Sequence, residues 1–270
     1  MAVKNVLFLF FLALITLPAL AQQSGSSTPA SLSTTSSKKQ RMNQMLKMEE
    51  EGDLIFDHYS VFGFKMSTNG YGLSYEHGKF INNRKTRTLT FEWNEVKDQK
   101  DHKEAVSNDG YTYNYVSVGR LNNFYELKVS YGQQMLLGGK GNKNGVSVTY
   151  LYSGGLSVGM LKRYVLDVLP DQTSLYTIQA TYPTIFDSSS YRVVNAVGLG
   201  GGWNQLKFSP GLNAKVAMRF DFGRFNQNIT AFETGVTAEY YLNEMPMMAY
   251  VAPKHLFFNA YISIMFGKRK

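Results

Sequence analysis

Cysteine is absent from the 270 residues. That excludes disulfides, thiol catalysis and thiolate metal sites, and with them the lipidated cysteine of a bacterial lipoprotein. Long apolar stretches are scarce as well. One charge-free run, Val6 to Leu17, stands near the start. It falls short of the roughly 20 residues a bilayer-spanning helix needs. Histidine is limited to His58, His77, His102 and His255, and none of them sits at a metal-ligand spacing. The glycine-rich stretches 138–145 and 199–202 are not followed by a Lys-Ser/Thr pair opening a helix, so they are turns rather than phosphate-binding loops. No cofactor is expected.

Acidic residues are in deficit, and the formal net charge is +8. A nucleic-acid binder has such a balance. Here the positive charge is spread through linkers and turns, and the N-terminus directs the chain out of the cytoplasm. Lys4, the apolar run and Ala19-Leu20-Ala21 form a secretory signal over residues 1–21, with cleavage expected before Gln22. The expected partners are therefore outer-membrane lipid and lipopolysaccharide, with no nucleic acid. Gln22 to Gln40 is dominated by Ser and Thr and has too few apolar residues to fold alone. Met42, Met45, Leu46 and Met48 recur at nearly helical spacing, which fits either a short amphipathic helix or a frayed segment. Residues 22–53 are read together as a periplasmic tether.

From Leu54 onward the pattern becomes alternation with period two. Residues 212–222 give the cleanest case: Leu212, Ala214, Val216, Met218, Phe220 and Phe222 share one face, and Asn213, Lys215, Ala217, Arg219 and Asp221 the other. A helix would scatter those charges around its circumference. Similar stretches fall at 87–95, 124–132, 145–161, 228–241 and the C-terminus. Less regular ones lie at 56–67 and 70–79, joined at Asn69-Gly70, a hairpin signal. Gly154-Gly155 suggests a bulge or bend. About eight strands result, the smallest common size for a transmembrane barrel.

The fold expected for residues 54–270 is thus an all-β, antiparallel, up-and-down transmembrane β-barrel. A soluble sandwich or lipocalin-like barrel also alternates. The aromatics near strand ends, among them Phe220, Phe222, Tyr240, Phe258 and Phe266, favour the membrane form, where amphipathic rings sit at interfacial depth. Loop lengths agree. With both barrel ends in the periplasm, the long connections at about 96–119, 162–210 and 242–255 face outward. Those at 80–86, 133–144 and 223–227 are the short inner turns.

Arg120-Leu-Asn-Asn-Phe-Tyr-Glu-Leu127, Gly138-Gly-Lys-Gly-Asn-Lys-Asn-Gly145 with the Tyr152 to Gly159 stretch, and the C-terminal Phe257-Phe-Asn-Ala-Tyr-Ile-Ser-Ile-Met-Phe-Gly-Lys-Arg-Lys270 resemble the small outer-membrane β-barrel proteins of Bacteroidota. The resemblance spans roughly residues 54 to 270 and implies an outer-membrane barrel without importing an activity. One departure is that Phe266 is followed by four further residues, whereas such strands often end the chain on an aromatic.

Alternation assigns Glu92, Glu126, Lys128, Lys215, Arg219, Asp221, Glu233 and Glu239 to the barrel interior. Eight strands enclose room for side chains and little else, so these charges should pair into a solid plug. The alternative is a narrow pore for small polar solutes. His58 with Ser60 raises a lipid-modifying enzyme as a second alternative, although no third group is evident to orient the histidine. Tyr176, Tyr182, Phe186, Tyr191 and Trp203 make the 162–210 loop either a recognition surface or a lid. The expected role is non-enzymatic, structural or adaptor, with the outer loops at about 96–119 and 162–210, or the periplasmic tether, contacting another envelope protein.

Overall fold

The computed structural model describes residues 56–107, 111, 113–140, 145–170, 176–182, 185, 191–223 and 227–270. The expected signal peptide and tether, and Phe186, lie outside the described residues. In chain order the strands are β1 (His58–Ser67), β2 (Gly70–Asn82), β3 (Lys85–Val96), β4 (Lys103–Val106), β5 (Asn114–Ser117), β6 (Asn122–Gly138), β7 (Ser147–Arg163), β8 (Leu166–Leu169), β9 (Ile178–Ala180), β10 (Arg192–Ala196), β11 (Lys207–Asp221), β12 (Asn228–Met245) and β13 (Lys254–Arg269).

The eight long strands close into an antiparallel barrel in the order β1, β2, β3, β6, β7, β11, β12, β13, with β13 returning to β1. Closure leaves no unpaired edge. Cross-strand partners trace a continuous ring: Phe62, Tyr75, Phe91, Val129, Leu156, Leu212, Tyr240 and Leu256. All eight are apolar or aromatic and all are exposed. The ring returns to β13 at Leu256, whereas the β13 partner of Phe62 is Phe266. That stagger tilts the strands by about 40° from the barrel axis.

Two local readings are corrected. The first hairpin turns on Thr68 and Asn69, and Gly70 already pairs with Ser67 as the first residue of β2. Glycine is needed there for close approach, because a Cβ would lie 1.9 Å from the Glu95 carbonyl oxygen. Gly154-Gly155 makes no bulge. The register of β7 runs through both residues against β6 and β11. Gly155 is small because a Cβ would meet the Val129 carbonyl oxygen at 2.0 Å.

At the end of the barrel that holds His58 and Arg269 the connections are short, 83–84, 139–146 and 222–227. At the other end, after the tight first hairpin, they span 97–121, 164–206 and 246–253. Two of these long connections carry further structure: β4 pairs with β5, and β8 lies between β9 and β10. Val116, Tyr164, Leu166, Val168, Ala180 and Tyr182 are buried together beneath them, giving this cap a small core of its own. The expected lid or loop at 162–210 is therefore partly a three-stranded sheet.

Candidate functional site

Inside the barrel, side chains shared by facing strands form layers. At the centre, Glu92 on β3 accepts hydrogen bonds from Lys65 on β1 at 2.9 Å and Lys215 on β11 at 3.0 Å. Towards the termini, the Arg219 guanidinium spans two carboxylates: it donates to both oxygens of Glu76 at 2.7 and 2.8 Å and to Glu233 at 2.6 Å. Tyr59 donates to Glu76 and Tyr261 to Glu233, each at 2.6 Å. Towards the cap, Lys128 bridges Glu126 at 2.8 Å and Glu239 at 2.5 Å. Asn259 donates to Glu239 at 3.2 Å.

All nine charged groups of these layers are buried. They tolerate that position only because each faces an opposite charge and retains hydrogen bonds, since an isolated buried ion is too costly. Of the interior residues expected from the sequence, Glu92, Glu126, Lys128, Lys215, Arg219, Glu233 and Glu239 come together here. Asp221 does not. It lies at the mouth near the termini, paired with Arg269 and with Lys140 at 3.5 Å. The sequence reading missed Lys65 and Glu76, which complete the network.

Above the charged layers the interior turns apolar. Phe124, Leu161, Tyr241, Met245, Met247, Met248 and Phe257 are buried as one cluster with Val96. Phe124 meets Tyr241 edge-on at 5.4 Å between ring centroids. Tyr241 joins this cluster to the charges below, because its hydroxyl donates to Glu126 at 2.9 Å. The connection 97–121 crosses to the connection 246–253, with Leu121 N–H donating to the Met247 carbonyl and Ala249 N–H to that of Gly119, both at 2.8 Å. Beyond the opposite end of the network lies a cavity of about 400 Å³. Tyr59, Arg219, Gln134 and Thr149 line it, and so do Phe56, Arg84, Lys140 and Arg269 of the rim.

The expected recognition aromatics separate into two groups. Tyr182 is buried in the cap and Tyr191 packs partly buried against it, so neither ring is a surface feature. Tyr176 and Trp203 are exposed, with the Lys162 ammonium 4.8 Å from the Trp203 ring centroid. Tyr111, Tyr113, Tyr115 and Tyr250 are also exposed at this end and were not singled out from the sequence. Arg120, held by Asp101 and by Asn123 at 2.9 Å, lies over the Tyr164 ring and ties the cap to the barrel. Burial lowers the Arg120 pKa and raises that of Tyr182. Both shifts leave the ordinary charge states at neutral pH, because arginine stays protonated and the phenol neutral.

The nearest ring nitrogen to Ser60 belongs to His77, not His58. Ser60 Oγ is 3.2 Å from His77 Nδ1 across the β1–β2 ladder, on the outer wall, and Tyr75 donates to the same hydroxyl at 3.3 Å. The His58 ring lies beside that of His77, with centroids 5.7 Å apart. No carboxylate hydrogen-bonds His77 among the described residues, so the pair lacks the orienting partner of a serine nucleophile.

No protein-family model and no curated protein matches the chain. Solved structures with similar chain paths include Neisserial surface protein A, at 9% identity over 79% of this chain and 96% of that one, with a TM-score of 0.42. Ail, the attachment invasion locus protein of Yersinia pestis, matches at 9% identity over 80% of this chain and 100% of that one, with a TM-score of 0.36. The N-terminal β-barrel domain of Pseudomonas aeruginosa OprF matches at 12% identity over 78% and 98%, with a TM-score of 0.32. At these values the likenesses carry no functional argument.

Proposed function

We propose that this chain is an integral outer-membrane β-barrel without enzymatic activity, whose cap serves as an adaptor surface for another envelope component. The supporting observation is the inverted polarity of the wall. Phe62, Phe91, Trp93, Leu156, Leu212 and Ile264 face outward while the ionised groups face one another inside. A water-soluble barrel would do the reverse, and a bilayer demands a closed hydrogen-bonded wall with an apolar exterior. Among the described residues no helix is long and apolar enough to cross a membrane. The short connections at the termini end fit the periplasm, and the long structured ones the outside. The layers of paired charges beneath an apolar cluster argue for a filled barrel rather than a pore.

Urea-resistant membrane fractionation with gel mobility tests the membrane reading. The unboiled chain should migrate faster than the boiled one and fractionate with the outer membrane. A urea-soluble protein with no mobility shift would mean a soluble barrel. The adaptor reading expects a stoichiometric partner on mild solubilisation, lost when Tyr113 and Tyr115 are replaced by serine. Purification of the intact chain alone under the same conditions would remove it.

A further inference from the structure

The lower outer wall of β13, β1, β2 and β3 is graded in a way that fits one kind of lipid. Phe62 pairs with Phe266 and Tyr75, and Tyr75 with Phe91, which makes an apolar surface facing outward. One outward position nearer the termini, Ser60 pairs with His77 and with Lys268. One position further, Lys79 pairs directly with Arg87, and Lys85 follows on the same outward face of β3. Along the wall this is hydrocarbon, then hydrogen-bonding groups, then cations. The order matches the acyl chains, ester region and phosphate of a glycerophospholipid.

Two observations show that the cations lack an internal explanation. Like charges directly opposite on neighbouring strands repel and destabilise the ladder. Lys79 and Arg87 are such a pair, and among the described residues neither they nor Lys85 and Lys268 has an ion-pair partner, although other cations at this end, Lys140 and Arg269, both pair with Asp221. Asp57, which adjoins this rim through backbone hydrogen bonds with Phe80 and Lys270, forms no ion pair with them among the described residues. The wall is also short here. Arg87 and Glu95 bracket Leu89, Phe91 and Trp93 on β3. Their separation is about 26 Å along the strand, or roughly 20 Å along the membrane normal at the tilt described, against a usual apolar band of about 25 Å. Arg87 and its partner Lys79 are therefore drawn up to headgroup depth, where long basic side chains reach for phosphate.

We infer that Lys79 and Arg87, with Lys268, Ser60 and His77 one outward position above them, form a binding site for the headgroup of an anionic glycerophospholipid in the leaflet at the termini end of the barrel. A phosphate between Lys79 and Arg87 converts the repulsive pair into two attractive contacts. Ser60 and His77 supply hydrogen-bonding groups at the level of the glycerol esters. The inference rests on the membrane reading above and adds a specific lipid class and face to it.

The test uses the full chain refolded into vesicles of phosphatidylcholine with a minority of phosphatidylglycerol. Spin-labelled versions of each lipid report the fraction immobilised at the protein. Wild type should retain phosphatidylglycerol over phosphatidylcholine by at least on the order of tenfold at the preferred site, since each basic group near the surface contributes an attraction worth about fivefold. K79Q/R87Q should lose most of the preference while keeping its unboiled gel mobility, and K268Q should lose a smaller part. Equal retention of the two lipids by wild type, or an unchanged preference in K79Q/R87Q, overturns the site. A preference abolished by millimolar inorganic phosphate assigns the cations to free phosphate and also overturns it. Failure of wild type to insert, read from the gel alone, sinks the membrane reading as well and is thereby distinguished from loss of the lipid site.

Discussion

The two faces of β11 carry opposite chemistries within one strand. Lys215 and Arg219 point inward and are buried, while Val216 and Met218 between them point outward and are exposed. In a soluble protein the exposed residues would be the charged ones. The contrast teaches that charge itself is not what holds this wall in place: inside, ions face ions, and on the membrane reading proposed above the exposed hydrocarbon faces lipid. Moving a group from one face to the other is therefore the sharpest way to test the assignment.

The largest effect is expected inside. Arg219→Leu leaves Glu76 and Glu233 buried without the guanidinium that binds both. Breaking a buried ion pair from one side costs about 3–5 kcal/mol. The urea midpoint of the barrel refolded in vesicles should fall accordingly, and adding Glu76→Gln should recover part of the loss by removing one orphaned charge. An unchanged midpoint for Arg219→Leu would mean that water reaches these groups and that the interior is not a closed network.

How much of this was legible in the sequence depended on whether each residue met two different solvents. The strand carrying Lys215 and Arg219 could be read directly, since period two with charge on one side and hydrocarbon on the other has no helical explanation. β1 and β2 were harder. Their inward positions include Gly63, Gly72 and Gly78, which leave room for neighbours such as Tyr59, whose ring would lie 2.2 Å from a Cβ at Gly78. Those glycines dilute the polar face, so Lys65 and Glu76 were not recognised as interior charges. Partner choice was not legible at all. Arg219 and Glu76 are 143 residues apart, and only barrel closure and register bring them together.

The cap was still less visible, for a different reason. Its strands β4, β5 and β8 have four residues each and β9 has three, too few to establish a period against turn-rich flanks. Composition correctly marked the segment as aromatic but could not say which rings pack inward. Tyr182 fills the small core under the sheet while Tyr176 remains exposed. A short segment gains its orientation from what it covers, here Leu166, Val168 and Val116, and that information lies elsewhere in the chain.

The outer face offers a second test, graded by depth. Val216 lies near the middle of the apolar stretch that β11 presents from Phe208 to Phe222, with Tyr152 and Val236 as cross-strand neighbours. Val216→Arg should destabilise the refolded barrel by about 2–4 kcal/mol, the cost of a cation at the bilayer midplane.

Phe222→Arg makes the smallest change and the most discriminating one. Phe222 stands at the termini end of the same outward row, beyond the last residue of β11, where its N–H donates to the Thr230 carbonyl at 2.8 Å. An arginine here reaches the headgroups by extending its side chain, so its cost should be only about 0–1 kcal/mol. Measured together in urea titrations of the vesicle-bound barrel, the two substitutions yield a difference that is itself a depth. If both arginines cost the same, the exposed apolar row is not graded by a bilayer, and the hydrocarbon outside would need a protein partner rather than lipid to cover it.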